Sequence, residues 1–188
     1  MRVIGGKAKG HLLKVPKGQT LRPTAARVKE ALFNILPHNL SGYKVLDLFA
    51  GSGNLSVEAL SRGAAQTILV DTSHKAGVAI HYNLEVLGFL GRSEVWIASV
   101  LPSLRLLSRR GMAFDLIFLD PPYERNWIGR VLKVIAQGGL LREGGLVVVE
   151  HSVREEVKKD YAEITLQDQR RYGDTLLSFL GHVKTRPQ

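Results

Sequence analysis

From Val45 onward short apolar runs alternate with amphipathic stretches, and that alternation leaves few architectures open. Val45-Leu46-Asp47-Leu48-Phe49 predicts a strand over 45–49, halted by Ala50-Gly51-Ser52-Gly53 and followed by a helix near 54–62 that Gly63 closes. A strand over 67–70 then ends at Asp71, with a helix near 74–87 closed by Gly88. A strand over 95–98 leads to a helix near 101–110, and a strand over 115–119 ends at Asp120 before a helix near 127–137. Gly138-Gly139 and Gly144-Gly145 bracket a turn before a strand over 146–150. Near-continuous apolar strands joined by helices predict an α/β fold whose mostly parallel sheet is covered on both faces. Residues 163–171 and 175–181 differ: two strands joined at Tyr172-Gly173-Asp174 form a C-terminal antiparallel hairpin.

Residues 1–40 precede this alternation as a basic N-terminal β/α extension, with residues 41–183 as the main domain and the whole as one compact unit. Short strands or a hairpin fill the first part. A helix follows, with Thr24 as N-cap and Val28, Ala31, Leu32 and Ile35 on its apolar face, ending near Pro37. Residues 1–29 carry Arg2, Lys7, Lys9, Lys14, Lys17, Arg22, Arg27 and Lys29 and no acidic residue. The whole chain has a net charge of +9 and an isoelectric point near 10.0. A basic arm of this kind suits phosphate neutralisation, so a nucleic-acid partner is expected. With no cysteine, disulfides, thiolate metal sites and cysteine nucleophiles are excluded. No apolar run approaches membrane-spanning length and no signal-peptide core is apparent, so a cytoplasmic location is expected. The six histidines show no metal-ligand spacing, and no metal is expected. Trp96 is assigned to the core, Trp127 to packing at a helix start, and Arg109-Arg110 and Lys158-Lys159 to solvated faces.

In open α/β sheets the ligand lies beyond the carboxyl ends of the strands. Asp47, the Gly51/Gly53 turn, Asp71, Ser99 and Asp120 all fall there, at one predicted mouth. The Gly-x-Gly turn offers backbone N–H groups and close approach, but Ser56 stands where a dinucleotide fingerprint has its third glycine. Asp71, at the next strand end, suits the two hydroxyls of a ribose, so the pair points to an adenosine-bearing cofactor. Asp120-Pro121-Pro122-Tyr123 is the sharper signal. Two prolines stiffen the loop and free carbonyls as acceptors. Asp120 and the Pro121 carbonyl would hold both N–H groups of an exocyclic amine, and the Tyr123 ring would stack on its base. Holding the amine in this way favours its nucleophilic form and stabilises the positive charge that develops as a methyl group arrives.

Val45 to Gly53 and Asp120 to Tyr123 resemble motifs I and IV of class I S-adenosylmethionine-dependent amino-methyltransferases, with their Rossmann-like fold. Further blocks extend the likeness: Arg2-Val3-Ile4-Gly5-Gly6, Leu21-Arg22-Pro23-Thr24, Arg27 to Leu36, Glu58 to Ala64 and Arg171-Tyr172-Gly173-Asp174. With these the chain resembles, from residue 1 to about 180, the bacterial small-subunit (16S) ribosomal RNA guanine-N2 methyltransferase family. The resemblance implies methyl transfer from S-adenosyl-L-methionine to the N2 amine of a guanine in 16S rRNA, on a small subunit partly or fully assembled; a monomer is expected. It implies that Asp47 and the backbone from Phe49 through Ala50 and Gly51 to Gly53, with Leu55, hold the methionine end of the cofactor. Asp71 would bind the ribose, with Thr72 beside the adenine. Asp120 and Pro121 would hold the amine, with Pro122 shaping the loop and Tyr123 stacking on the flipped guanine. Many class I enzymes place Asp or Asn against the adenine at the third strand end; this chain has Ala98-Ser99, so Ser99 is the candidate there. Arg2, Lys7, Lys9, Arg22, Arg27 and Arg171 are the candidate RNA contacts. Three other readings fit parts of the pattern: an adenine-N6 or other amino-methyltransferase acting on DNA or another RNA, a non-catalytic RNA-binding assembly factor, and a nicotinamide-binding oxidoreductase. Intact Asp120, Gly51 and Gly53 disfavour the second, and Ser56 the third.

Overall fold

The computed structural model describes residues 1–16, 23–122 and 126–183, with backbone only at 23–25. Lys17, Arg22 and Tyr123 therefore lie outside the described residues or side chains. The chain forms two compact units, Met1–Val100 and Leu101–Gln188. The first contains α1 (Pro23–Ile35), β1 (Lys44–Leu48), α2 (Asn54–Ser61), β2 (Gln66–Asp71), α3 (His74–Val86) and β3 (Ser93–Ile97). Its strands run parallel in the order β3-β2-β1, with Leu48 beside Val70 and Asp71 beside Ile97. The buried Val45, Leu46, Leu48, Leu69 and Val70 explain the near-continuous apolar reading. β3 is an edge strand in which Trp96 is only half-buried; its indole N–H donates to Glu94 at 3.3 Å. The core assignment of Trp96 is thus corrected: an edge strand has one neighbour and cannot cover so large a ring.

The extension is woven into this unit. Val3, Ala8 and Leu13 join Val57, Leu60, Leu69, Ile80, Leu84 and Phe89 in one apolar cluster. At roughly 1.5–3 kcal/mol for each fully buried large aliphatic side chain, that contact outweighs the few kilocalories of any single polar link. Among the described residues 1–16 the expected strands reduce to one antiparallel bridge, Arg2 to Leu12, among turns; residues 17–22 of that expectation lie outside the described residues. α1 begins at Pro23, so Thr24 lies inside its first turn and is not the N-cap. Its buried face is Val28, Lys29, Leu32 and Phe33, with Leu36 buried just past its end, while Ile35 is 38% exposed. The face is rotated from the expected one because Lys29 and Phe33, one turn apart, both meet α2: Lys29 reaches Glu58, and the Arg62 guanidinium lies 4.9 Å from the Phe33 ring.

The second unit holds α4 (Val100–Arg109, its first residue closing the first unit), β4 (Phe114–Leu119), α5 (Trp127–Gln137), β5 (Leu141–Ser152), β6 (Asp160–Tyr161), β7 (Ile164–Tyr172) and β8 (Thr175–His182). Its strand order is β4-β5-β8-β7-β6, parallel between β4 and β5 and antiparallel thereafter. The predicted hairpin is β7–β8, with Tyr172 beside Thr175. β5 starts earlier than expected. Phe114 pairs with Leu141 and Leu116 with Leu146, so the glycines at 144 and 145 make an irregularity within a longer strand, not a turn before it. Inside this sheet His151 is fully buried, its Nε2 2.8 Å from Ser178 Oγ, which also accepts from Gln169 at 2.8 Å. Burial pushes the imidazole below its ordinary value of 6.5. No helix among the described residues is long and apolar enough to cross a membrane.

Candidate functional site

The loop after β1 is held in an unusual conformation by its own sequence. Phe49, Gly51 and Gly53 all have positive φ, at 63°, 58° and 72°. For Phe49 this is strained, and such strain persists only where surroundings enforce it. Gly53 has a second constraint: a Cβ there would lie 3.1 Å from Leu69 and 3.3 Å from Ile80. Ala50 N–H donates to Val70 O at 3.1 Å and Gly53 N–H to Ala50 O at 2.7 Å, closing the turn.

Three side chains fix the loop from outside. Asp71 receives Gly51 N–H on Oδ2 and Ser73 N–H on Oδ1, both at 2.8 Å. Each carboxylate oxygen has two lone pairs, so both keep acceptor capacity toward a ribose. Asp47, 2% exposed, accepts Ser56 Oγ–H at 2.8 Å and Ser56 N–H at 3.2 Å on Oδ2. The left-handed Gly53 has no side chain to cap α2, and Asp47 supplies that cap from the neighbouring strand. Ser56, which breaks the dinucleotide pattern, therefore ties the helix to the strand. Buried Asn83 of α3 donates to Ser52 O at 3.0 Å and to Lys14 O at 2.9 Å, and accepts Lys14 N–H at 2.8 Å. Leu55 is half-buried in the first turn of α2, Thr72 and Ser99 are exposed, and Ala98 N–H donates to Asp71 O at 2.9 Å.

The sequence pattern did not single out Glu58 and Asn83. Glu58, fully buried on α2, accepts Ile4 N–H at 2.9 Å, Gly5 N–H at 2.8 Å, Arg62 Nε–H at 3.1 Å and Lys29 Nζ–H at 3.3 Å. Lys29 also donates to Asn54 Oδ1 at 2.9 Å and to Arg2 O at 2.6 Å. Burial lowers the Lys29 ammonium from its ordinary value, opposed by Glu58. Lys29 must be removed from the solvated basic arm. The signal for Glu58 was available: a carboxylate flanked by Val57 and Ala59, with Arg62 one turn on.

The other basic candidates stay at the surface. Arg2, Lys7, Lys9 and Arg27 are exposed in the first unit, Arg2 donating to Gly10 O at 2.7 Å. In the second unit Arg171 is exposed and donates to Gly173 O at 2.8 Å, inside its hairpin turn. Asp120 follows β4 and is exposed, Pro121 is buried and Pro122 exposed. Among the described residues no group of three or more His, Asp or Glu is placed to hold a metal ion.

Residues 1–181 match the family model described as "Conserved hypothetical protein 95". "Putative rRNA methyltransferase YlbH" of Bacillus subtilis (strain 168) is 37% identical over 175 residues, 93% of this chain and 95% of that one. "Ribosomal RNA small subunit methyltransferase D" of Escherichia coli (strain K12) is 35% identical over 153 residues, 81% of this chain and 75% of the relative. The solved structure "Putative methyltransferase yhhF from Escherichia coli" superposes with a TM-score of 0.82 at 31% identity, covering 97% of each chain.

Proposed function

Because the chain belongs to the Conserved hypothetical protein 95 family, with relatives named as small-subunit ribosomal RNA methyltransferases, we propose that it is an S-adenosylmethionine-dependent methyltransferase of 16S rRNA acting on the N2 amine of a guanine. The observation that carries the reading is the Asp71–Gly51 tie, which rigidifies a Gly-x-Gly loop beside a carboxylate with acceptor capacity to spare. That donor and acceptor set fits an adenosine-bearing cofactor, and Ser56 in place of the third glycine disfavours a redox dinucleotide.

The cofactor supplies an electrophilic methyl group on a sulfonium. Asp71 would hold the ribose hydroxyls and the loop from Phe49 to Gly53 the methionine end, with Thr72 and Ser99 toward the adenine. Asp120 and the Pro121 carbonyl would accept the two amine N–H groups, and Tyr123 would stack on the guanine. Positioning then dominates the rate, since a direct displacement needs no covalent enzyme intermediate. Arg2, Lys7, Lys9, Arg22, Arg27 and Arg171 would neutralise backbone phosphates.

The test is transfer of labelled methyl to naked small-subunit rRNA, assembled subunits and duplex DNA in parallel, from cells lacking the protein. N2-methylguanosine on a ribosomal substrate supports the reading, and the preferred form shows when the enzyme acts. N6-methyladenine on DNA, or cofactor binding with no transfer to any substrate, overturns it.

A further inference from the structure

Within the second unit a cleft of about 550 Å³ opens among residues that follow β4 and β5 at their carboxyl ends. That end of a parallel pair is where ligands of α/β sheets bind, and the volume is that of a ligand site. Asn126, Ile128, Gly129 and Arg130 line one side, and Arg154 to Glu156, Lys158 and Tyr161 line the other. Three chemistries face the space. Arg130 and Lys158 are exposed cations, Arg130 lying 5.1 Å from the Trp127 ring. The Tyr161 ring is half-buried, its hydroxyl fixed by accepting Lys158 N–H at 2.9 Å. Glu155, half-buried, and the exposed Glu156 bring carboxylates to the lining.

A simple anion would meet the cations but be repelled by Glu155 and Glu156. A ribonucleotide answers all three features: phosphate for the cations, a flat base for the ring, and base N–H or 2′-hydroxyl donors for the carboxylates. The site is also close to the amine clamp, since four residues from Pro122 to Asn126 span at most about 15 Å. Building on the methyltransferase reading, we propose that this cleft binds the single-stranded RNA beside the target base, with a phosphate on Arg130 and Lys158. It is a contact distinct from the N-terminal arm, and it would help to select the sequence or shape around the methylated position.

The test replaces Arg130 and Lys158 together by alanine in the full chain. Affinity for a short fluorescent single-stranded RNA is measured by anisotropy across salt concentrations, alongside methyl transfer by the unaltered protein to small-subunit rRNA, both naked and in assembled subunits. Arg105→Ala with Arg109→Ala is the control, removing two cations from a groove between α4 and α5 where the helices end. The expected result is a log–log salt slope shallower by about 0.7, the value for one single-strand phosphate no longer neutralised, with the control unchanged. An unchanged slope in the Arg130/Lys158 variant while the unaltered protein transfers methyl overturns the cleft and leaves the function standing. An equal flattening in the control overturns it as non-specific attraction. An unaltered protein that neither binds RNA nor methylates it overturns both.

Discussion

Lys29 and Glu58 meet at 3.3 Å with side chains 3% and 0% exposed, which joins α1 to α2 through a buried ion pair. Glu58 also receives two backbone N–H groups from the extension, so one carboxylate organises three segments. Four donors converge on it, which is the condition under which a buried charge is tolerable.

Glu58→Gln should therefore cost far more than a surface change, roughly 3–5 kcal/mol, because Lys29 is left buried without its counter-charge. Adding Lys29→Met should recover part of that loss. Denaturant midpoints of the single and double variants check this; a double variant no more stable than Glu58→Gln would contradict it.

Asp71→Ala removes the acceptor of both Gly51 N–H and Ser73 N–H. Loss of a charged hydrogen bond of about 1.5–3 kcal/mol corresponds to a roughly 10- to 100-fold weaker cofactor Kd. Calorimetric titration with S-adenosylmethionine measures it, and wild-type affinity would remove Asp71 from the site.

Asp120→Ala should lower the transfer rate by about 10²- to 10³-fold, the usual cost of losing one group aimed at developing charge. Cofactor affinity should stay at the wild-type value, because Asp120 is assigned to the amine. Single-turnover rates and cofactor titration on the same preparation separate the two; near-normal turnover would sink the clamp.

His151 sets a pH dependence of stability. Burial is the main cause of its lowered pKa, against smaller raising effects from the Ser152 backbone and Glu155. Below about 6.5 the unfolded chain takes up a proton that the native imidazole still refuses, so stability falls as pH drops from there toward the native pKa. In that window His151→Gln should flatten the slope by up to about 1.4 kcal/mol per pH unit. Urea unfolding at a series of pH values shows it; parallel slopes in the two proteins would assign the acid sensitivity elsewhere.

The strands and helices around the glycine loop were legible because their apolar runs end at glycine or aspartate, as with Val45–Gly53 and Ile68–Asp71. Apolar period says nothing about polar partners far away. Lys29 looked like one more surface cation, since its partner Glu58 is 29 residues off. The same blindness hid Asn83, which reaches Lys14 across 69 residues. The face of α1 turned toward these partners, so Ile35 fell outside it although its spacing was right. β5 was shortened because glycines at 144 and 145 read as a turn, whereas the strand absorbs them as an irregularity. At the candidate site the types Asp47, Asp71 and Gly51 were visible. That Ser56 satisfies Asp47 was not, because a serine inside a helix carries no such mark in sequence.

The partners of the N-terminal arm have a bearing on how the chain is made. Ile4, Gly5, Ala8 and Lys14 wait for Glu58, Ser61 and Asn83, which are 53 to 69 residues downstream. At about 5–20 residues per second, synthesis takes roughly 3 to 14 s to cover the longest of these gaps. For that interval the most basic part of the polypeptide is without its docking surface, beside the RNA of the ribosome that is translating it.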